Sequence, residues 1–329
     1  MEKTTIPGRK PREATRVGLG TWAIGGWMWG GSDEEESIRT IHSALDRGID
    51  LLDTAPAYGQ GRSEEIVGKA LERASARDRV TLVTKVGLEW DADGEVARNA
   101  SRERIFTEVE DSLRRLRTDR IDVYMVHWPD PRVPFEETAT ALAELLERET
   151  IGSIAVSNFS PEQMDAFGET APLHVAEPPY NLFERGAEDD VLPYCAENGI
   201  ATLTYGVLCR GLLSGSMSKE RDFEGDDLRN EDPKFQEPRY DRYLAAVDAL
   251  DRLARDRWGK RVIHLAARWA LDRPGVDVVL WGARRPDQLE PIEEVWDFEV
   301  DDEAAAEIDR IVAEHVPDPV GPEFMAPPD

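Results

Sequence analysis

The chain has 329 residues, 40% of them hydrophobic, and is therefore long enough and apolar enough to bury a sizeable core. Its 67 acidic residues against 40 basic ones give a formal net charge of -27, which disfavours nucleic acid and anionic membrane surfaces as partners. The N-terminal segment lacks an apolar signal sequence, no apolar run approaches the length of a membrane span, and only two cysteines occur, so we expect a cytoplasmic protein without disulfides.

Short apolar runs alternate with longer amphipathic stretches about eight times along the chain. The short runs predict strands at 16–19, 49–52, 80–84, 121–126, 153–156, 173–176, 201–204 and 276–280. The amphipathic stretches predict helices at 34–47, 63–73, 104–116, 135–149, 161–167, 189–197, 240–258, 261–271, 286–295 and 302–314. Eight strand–helix units predict an α/β protein with a single closed (β/α)8 TIM barrel, although the periodicity also permits a doubly wound sheet.

No change in composition marks a domain boundary, so we predict one domain over 1–329, with its core at about 15–315 and extra C-terminal helices. The long irregular stretch 206–239 is typical of a functional or disordered loop. The segment 316–329 carries five prolines and predicts an extended tail that is not helical.

The strong acidity has two explanations that the sequence leaves open. A cytoplasm of high salt concentration would screen the repulsion between surface carboxylates, so the composition would be an adaptation to salt. The alternative is an acidic protein of an ordinary cytoplasm. The oligomeric state is left open as well.

Residues able to bind polar ligand atoms stand at the ends of the apolar runs from the second to the eighth. They are Asp53, Lys85, His127, Ser157 with Asn158, Glu177, Tyr205, and Trp281 with Gly282. The carboxyl ends of barrel strands converge on the face where active sites lie, so we expect these residues to share one rim. A single charged strand end is more often a solvated edge or a structural ion pair, but packing does not explain the whole set.

Several motifs resemble those of aldo-keto reductases, in particular the bacterial general-stress type that uses NADPH. They are VGLGTW at 17–22, DTAPAYG at 53–59, Lys85, VHWP at 126–129, VSNF at 156–159, PPYNL at 178–182, GARRPDQLE at 282–290 and GPEFMAPP at 321–328. The resemblance extends from about Thr15 to the C-terminus. It implies an enzyme that reduces the carbonyl of a small aldehyde or ketone to an alcohol.

The resemblance implies that Asp53, Tyr58, Lys85 and His127 form a catalytic tetrad, and the chemistry of the side chains agrees. Carbonyl reduction needs a hydride at carbon and a proton at oxygen, but a free tyrosine, with a pKa of about 10, is a weak acid at neutral pH. An ammonium group lowers the pKa of a nearby phenol, so Lys85 would activate Tyr58 while Asp53 holds Lys85. His127 would donate a hydrogen bond to the carbonyl oxygen.

A Gly-x-Gly-x-x-Gly turn after a first strand is missing, so we expect no Rossmann site. The resemblance instead implies NADP(H) across the barrel mouth, with Ser157, Asn158 and Glu177 at the nicotinamide carboxamide and Tyr205 stacked on the ring. The segment 206–213 would surround the pyrophosphate, and Arg284 would pair with the 2′-phosphate. The other residues assigned to this site are Thr21, Trp22, Asp53, Gly206, Val207, Leu208, Cys209, Arg210, Gly211, Arg229, Gly282, Ala283 and Gln288.

Three positions depart from the family pattern, because many relatives have glutamine at Glu177, lysine at Ser216 and asparagine at Ile292. The last two departures weaken the argument for NADP over NAD, and Lys219 is a candidate replacement for the missing lysine. The first introduces a carboxylate that, if ionised, would favour the cationic oxidised nicotinamide over the neutral reduced one.

The tryptophans Trp27, Trp29, Trp90 and Trp128 are predicted to form aromatic walls of the substrate pocket, although Trp27 and Trp29 could equally cap the barrel. The histidines form no zinc-binding pattern, so we expect no metal. Two other functions stay open: a non-catalytic NADP(H)-binding sensor subunit of the same superfamily, and a metal-assisted barrel lyase or isomerase. The identity of the substrate is beyond the sequence.

Overall fold

The computed structural model describes residues 1–91 and 94–328. Its strands, in chain order, are β1 (Lys3–Ile6), β2 (Arg12–Thr15), β3 (Val17–Gly20), β4 (Leu51–Asp53), β5 (Thr81–Val86), β6 (Leu88–Trp90), β7 (Val96–Arg98), β8 (Ile121–Val126), β9 (Ile151–Ser157), β10 (Val175–Glu177), β11 (Ala201–Thr204) and β12 (Val278–Gly282). Strands β3, β4, β5, β8, β9, β10, β11 and β12 form a closed parallel barrel in that order. The predicted (β/α)8 fold is therefore confirmed, and the doubly wound alternative is excluded.

The barrel closes where its last strand pairs with its first. Val279 of β12 lies opposite Val17 of β3, and Gly282 lies opposite Gly20, in parallel register. Strands β5 and β8 are buried at every position, because helices cover their outer faces and side chains fill the barrel interior. This parallel register brings all eight carboxyl ends to one mouth.

The helices are α1 (Trp22–Gly25), α2 (Glu34–Asp46), α3 (Arg62–Ala74), α4 (Arg102–Leu116), α5 (Phe135–Glu147), α6 (Pro161–Gly168), α7 (Val191–Asn198), α8 (Arg239–Trp258), α9 (Val262–Leu271) and α10 (Asp302–His315). Side-chain caps fix several starts: Ser101 accepts from the backbone N–H of Arg104, and Ser160 forms a capping box with Gln163. The predicted barrel strands and α-helices are present, with bounds within two residues of those expected, apart from one helix.

The exception is 286–295, where the prediction of an α-helix is wrong. Pro286–Val295 forms a 3-10 helix with Pro291 inside it. Proline lacks the N–H that an α-helix needs at that position and its ring clashes with the preceding turn, so the tighter winding results. In the tail, a short 3-10 turn at Glu323–Met325 interrupts the predicted extended chain.

Two antiparallel hairpins were not predicted. β1 pairs with β2 at the amino-terminal end of the barrel, where Ile6 and Ala14 are buried and Ser153 donates to the carbonyl of Pro7 at 2.6 Å. β6 pairs with β7 beside the mouth. Both consist of short strands without a continuous apolar run, and they become stable only through packing against the barrel.

The irregular stretch 206–239 is ordered by a buried ion cluster. Arg210 pairs with Glu184 and, at 2.6 Å, with Asp232, while Lys234 lies 2.8 Å from Glu184. Lys234 also donates to the carbonyl of Gly321 at 3.0 Å, so the cluster holds the C-terminal tail. Within residues 1–91 and 94–328, no helix has the length and apolar character needed to cross a membrane.

Candidate active site

Four of the predicted residues lie close together at the mouth because they are at or just after the ends of neighbouring strands. Asp53 ends β4, Lys85 lies one residue before the end of β5, and His127 follows β8 directly. Strands β4, β5 and β8 are adjacent in the barrel, so these residues start close together. Tyr58 lies on the loop after β4, and this loop places the Tyr58 hydroxyl next to Lys85.

Lys85 is the centre of this group and is fully buried. Its ammonium forms an ion pair with the Asp53 carboxylate and donates to the Tyr58 hydroxyl oxygen at 3.1 Å and to the Thr54 carbonyl at 3.2 Å. Because the phenolic oxygen accepts from Lys85, its own O–H proton remains free for another acceptor. The His127 ring meets the Tyr58 ring edge-on, with centroids 5.7 Å apart.

The protonation states of the group follow from its burial. Burial raises the pKa of Tyr58 well above its ordinary value; Lys85 opposes this rise, and the charges of Asp53 and Glu177 add to it. Lys85 therefore acts in the expected direction, but in the free chain the cost of desolvating a phenolate is larger, so the phenol pKa stays above its ordinary value. Burial, together with the Lys85 charge, also holds the pKa of His127 well below its usual range, so its imidazole is neutral.

Glu177 joins the group from across the barrel, at the end of β10. Its Oε1 lies 3.3 Å from the Lys85 ammonium, and its buried Oε2 has no hydrogen-bond partner among the described residues. Burial and the neighbouring Asp53 carboxylate raise the pKa of Glu177 to about 8, while Lys85 opposes the rise. The Glu177 carboxyl group, whose ionisation the sequence left open, is therefore mostly protonated at neutral pH in the free chain.

Ser157, Asn158 and Tyr205 lie together beside this group, as the resemblance implies for a carboxamide site. The Tyr205 hydroxyl donates to Asn158 Oδ1 at 2.9 Å, and Asn158 Nδ2 donates to Ser157 Oγ at 3.0 Å and to the carbonyl of His127 at 3.0 Å. Ser157 Oγ in turn donates to the carbonyl of Glu177 at 2.8 Å. These hydrogen bonds hold the side chains of Ser157, Asn158 and Tyr205 in place in the free chain.

A cavity of about 400 Å³ opens at the mouth above these residues. The predicted residues on its wall are Trp22, Trp29, Asp53, Tyr58, Tyr205, Gly206, Val207, Leu208, Arg210, Gly211, Arg229, Gly282, Ala283, Arg284 and Gln288. The backbone at Gly206, Cys209, Arg210 and Gly211 has positive φ angles. This path gives a diphosphate close access to the main chain, so the segment suits the pyrophosphate of a dinucleotide.

Thr21 and Cys209 are buried behind the wall and are not on it. The Thr21 hydroxyl donates to the carbonyl of Asp53 at 2.8 Å and lies 2.8 Å from the Ser63 hydroxyl, so it positions the end of β4. The Cys209 thiol is fully buried, and burial raises its pKa. Both residues shape the site from behind.

The arginines assigned to the cofactor differ in their partners. Arg229 pairs with the Asp227 carboxylate through two bonds, at 2.8 and 2.5 Å, and Arg210 belongs to the buried ion cluster. Arg284 donates to the carbonyl of Trp29 at 2.8 Å and has no carboxylate partner among the described residues. Gln288 accepts from the backbone N–H groups of Arg284 and Arg285, so it supports this turn. Only Arg284 among these cations keeps its charge available for a ligand.

The four tryptophans assigned to the substrate pocket do not lie together. Trp29 reaches the cavity, where it meets Trp22 edge-on at 5.4 Å, and Trp22 stacks on Tyr58 at 6.0 Å. Trp90 contacts Arg104 and Trp128 contacts Arg98, and neither is on the cavity wall. Trp27 is also off that wall.

Sequence reasoning missed several wall residues that come from distant parts of the chain. They are Arg221, Arg261, Arg285, Met217, Ile263 and the tail residue Met325. Arg285 could have been found from its position next to Arg284. Arg261 stands at the start of α9, 47 residues from Ser214, whose carbonyl it contacts at 3.3 Å, and no local pattern indicates that contact.

Comparison with known proteins supports the same fold. The model of the aldo/keto reductase family matches residues 16–313. The aldo-keto reductase YhdN of Bacillus subtilis is 60% identical over 316 residues, covering 96% of this chain and 95% of the relative. The NADH-specific methylglyoxal reductase of Escherichia coli is 35% identical over 291 residues, covering 84% of this chain and 87% of the relative.

A solved structure agrees over almost the whole length. The glycerol dehydrogenase of Gluconobacter oxydans is 50% identical and covers 98% of this chain and 99% of its own, with a TM-score of 0.87. The family match spans the eight barrel strands, together with the segments that carry Asp53, Tyr58, Lys85 and His127. The chain therefore belongs to the aldo/keto reductase family, a family of oxidoreductases.

Proposed function

We propose that the chain is an NADP(H)-dependent enzyme that reduces small aldehydes and ketones to alcohols, with Tyr58 as the proton donor. The observation that carries this proposal is the Tyr58 hydroxyl on the cavity wall, 3.1 Å from an ammonium that is itself fixed by the buried Asp53. When bound, the nicotinamide cofactor supplies the hydride. The chain's own residues then have to orient the carbonyl and deliver the proton.

Tyr58 and Lys85 have different roles in the proposed proton transfer: Tyr58 donates the proton, and Lys85 stabilises the phenolate that is left. The neutral phenol retains its proton in the free site, because burial raises its pKa. Once a carbonyl oxygen begins to gain negative charge, the phenol can give up its proton while the Lys85 ammonium stabilises the phenolate left behind. The Asp53 carboxylate beside Lys85 keeps that nitrogen protonated: burial opposes the charge, but the attraction of Asp53 contributes to holding the pKa of Lys85 well above its ordinary value.

His127 is suited to orienting the carbonyl. Its neutral imidazole has one N–H to donate, and it stands at the edge of the Tyr58 ring. A neutral donor fixes the carbonyl oxygen beside the phenol without competing with it as an acid.

The residues present fit a dinucleotide cofactor. The positive-φ segment 206–211 suits the pyrophosphate, and the hydrogen-bonded group of Ser157, Asn158 and Tyr205 suits the nicotinamide end. We propose NADP(H) over NAD(H) because the Arg284 guanidinium faces the cavity without a carboxylate partner among the described residues. The Escherichia coli relative, by its name, is specific for NADH, so both cofactors must be compared.

The similar proteins suggest the size of the substrate. Two of them are named for methylglyoxal and glycerol, which are both three-carbon compounds. The inner cavity wall, formed by Trp22, Trp29 and Tyr58, leaves the hydroxyl of Tyr58 beside an aromatic surface. We therefore propose small polar carbonyl compounds, such as methylglyoxal and glyceraldehyde, as the first substrates to test.

The test is NADPH oxidation, followed by absorbance, with a panel of aldehydes, ketones and sugars, and with glycerol plus NADP⁺ for the reverse direction. NADH serves as the comparison in each assay. We expect turnover with small aldehydes and a preference for NADPH. Tight cofactor binding without turnover on any carbonyl would contradict the proposal and favour the sensor function instead.

A further inference from the structure

Two carboxyl groups, those of Asp53 and Glu177, lie beside the single ammonium group of Lys85. Lys85 is held between two buried carboxyls, Asp53 on β4 and Glu177 on β10, which are 3% exposed each. If both were ionised beside a single ammonium, the group would carry an uncompensated negative charge in a buried site. Such a charge is costly, so the free chain needs either a bound proton or another cation there.

The described residues around Glu177 supply no second cation. The titratable and charged groups that face it are Asp53, Lys85, Tyr58 and Tyr205, and Lys85 is the only basic one among them. Its Oε1 contacts Lys85 at 3.3 Å, while Oε2 is buried and unpartnered among the described residues. Burial raises the pKa of both carboxyl groups, Asp53 and Glu177 can share a proton in a hydrogen bond, and Glu177 is the member of this pair whose buried Oε2 receives no hydrogen bond from a described N–H or O–H group.

The two redox states of a nicotinamide differ by one positive charge on the ring, and that charge would complete the balance. We propose that Glu177 gives up its proton when the oxidised cofactor binds and keeps it when the reduced cofactor binds, so that this chain couples NADP⁺ binding to proton release. The inference rests on the proposed function, since it places the nicotinamide ring beside the tetrad. Atoms and charge balance: the carboxylic acid becomes a carboxylate, and its proton passes to the solvent.

The consequence is a pH-dependent preference for the oxidised cofactor. In the free chain the raised pKa, about 8, keeps Glu177 largely protonated at neutral pH. A cationic ring lowers that pKa, so NADP⁺ affinity rises with pH until the free carboxyl is itself ionised, and then levels off. NADPH affinity gains nothing from this ionisation. A glutamine in place of Glu177 cannot release a proton at any pH.

The test measures protons and not turnover. NADP⁺ and NADPH are titrated separately into wild type and Glu177→Gln, and the number of protons released is obtained by calorimetry in buffers of different ionisation enthalpy. We expect wild type to release up to about one proton more per site with NADP⁺ than with NADPH at neutral pH. The cofactor's own phosphate groups are common to both forms and cancel in this difference.

Glu177→Gln should remove the difference and should change the ratio of the NADP⁺ and NADPH dissociation constants several-fold. A Glu177→Asp variant keeps the acid but shortens its reach, and should retain part of the proton release. Equal proton counts for both cofactors in wild type would overturn the inference, even with both bound. Binding of neither cofactor would instead contradict the proposed function, so the two failures are distinguishable.

Discussion

The two ends of the cavity differ in the burial and the ion pairing of their charged side chains. At the inner end, Asp53, Lys85 and Glu177 are almost completely buried and are in contact with one another. At the outer end, Arg221, Arg261 and Arg284 line the wall; Arg261 and Arg284 bond to backbone carbonyls, and none of the ion pairs among the described residues includes these three arginines. The inner end therefore has one carboxyl group more than its single ammonium can balance, and the outer end has cations without described carboxylate partners.

The difference indicates which property each end controls. In a buried site a unit of charge changes protonation states, because the low dielectric makes isolated ions costly. At a solvated rim the same charge stays ionised and attracts a ligand of opposite sign. The inner end is expected to govern proton transfer, and the outer end the choice between phosphorylated and unphosphorylated cofactors.

The largest expected effect comes from Tyr58→Phe at the inner end. The substitution keeps the ring against Trp22 and removes only the proton that can be transferred. Positioned acids contribute roughly 10²–10⁴-fold, so kcat should fall by at least about a hundredfold. NADPH affinity, followed by tryptophan fluorescence, should stay nearly unchanged. Retention of more than about a tenth of wild-type kcat, where chemistry limits turnover, would contradict the proton-donor role.

An intermediate effect is expected at the outer end from Arg261→Gln. Arg261 contacts the carbonyl of Ser214, in the turn that also contains Ser216, where many relatives have lysine. We propose that Arg261 contacts the 2′-phosphate as a second cation beside Arg284, since both line the cavity. Such a charge-assisted hydrogen bond, discounted for exposure, is worth about tenfold in affinity for NADPH and nothing for NADH. Dissociation constants for both cofactors measure this directly.

Lys219→Gln is the matched control for that experiment. Its ammonium pairs with Asp241, and it is not on the cavity wall, so it does not fill the role that the sequence suggested for it. We expect unchanged affinities for both cofactors. Equal loss of NADPH affinity in the two variants would show that Arg261 acts only through the overall charge of the surface.

The smallest expected effect is that of salt on the melting temperature. With a net charge of -27, the surface carboxylates repel one another, and molar potassium chloride should raise the melting temperature by a few degrees if the composition is an adaptation to salt. The same salt should weaken NADPH binding at the exposed outer arginines and leave the inner proton transfer unaffected. A melting temperature that is constant or falls with salt is the result that excludes the adaptation.

Much of the barrel could be predicted from the sequence because its strands and helices follow from local hydrophobic periodicity. Apolar runs of four to six residues coincide with the buried barrel strands, and the polar residue that ends or follows a run reaches the mouth because parallel strands share one direction. Asp53, Lys85 and His127 were found in this way. The helix at 286–295 failed because Pro291 overrides the periodicity.

The partners of the charged residues were not predictable in the same way. The sequence marks Arg210 and Arg229 as phosphate ligands as readily as Arg284, yet the first two are neutralised inside the protein. It places Trp90 and Trp128 with Trp29, yet these three tryptophans point to different surroundings. Apart from the pair of Arg229 with Asp227, which are two residues apart, the deciding contacts join residues that are remote in the chain.

The sequence by itself indicated the eight strand–helix units and the polar residues at the strand ends, because backbone preference and hydrophobic period are set within a few residues. Its motifs indicated the family, and with it the barrel. Only the tertiary structure decided that Glu177 reaches across the barrel to Lys85, that Tyr58 is a neutral phenol and that Arg261, at the rim, has no carboxylate partner among the described residues. The physical reason is that protonation and ion pairing depend on burial and on distances between atoms, and the folded chain alone sets both.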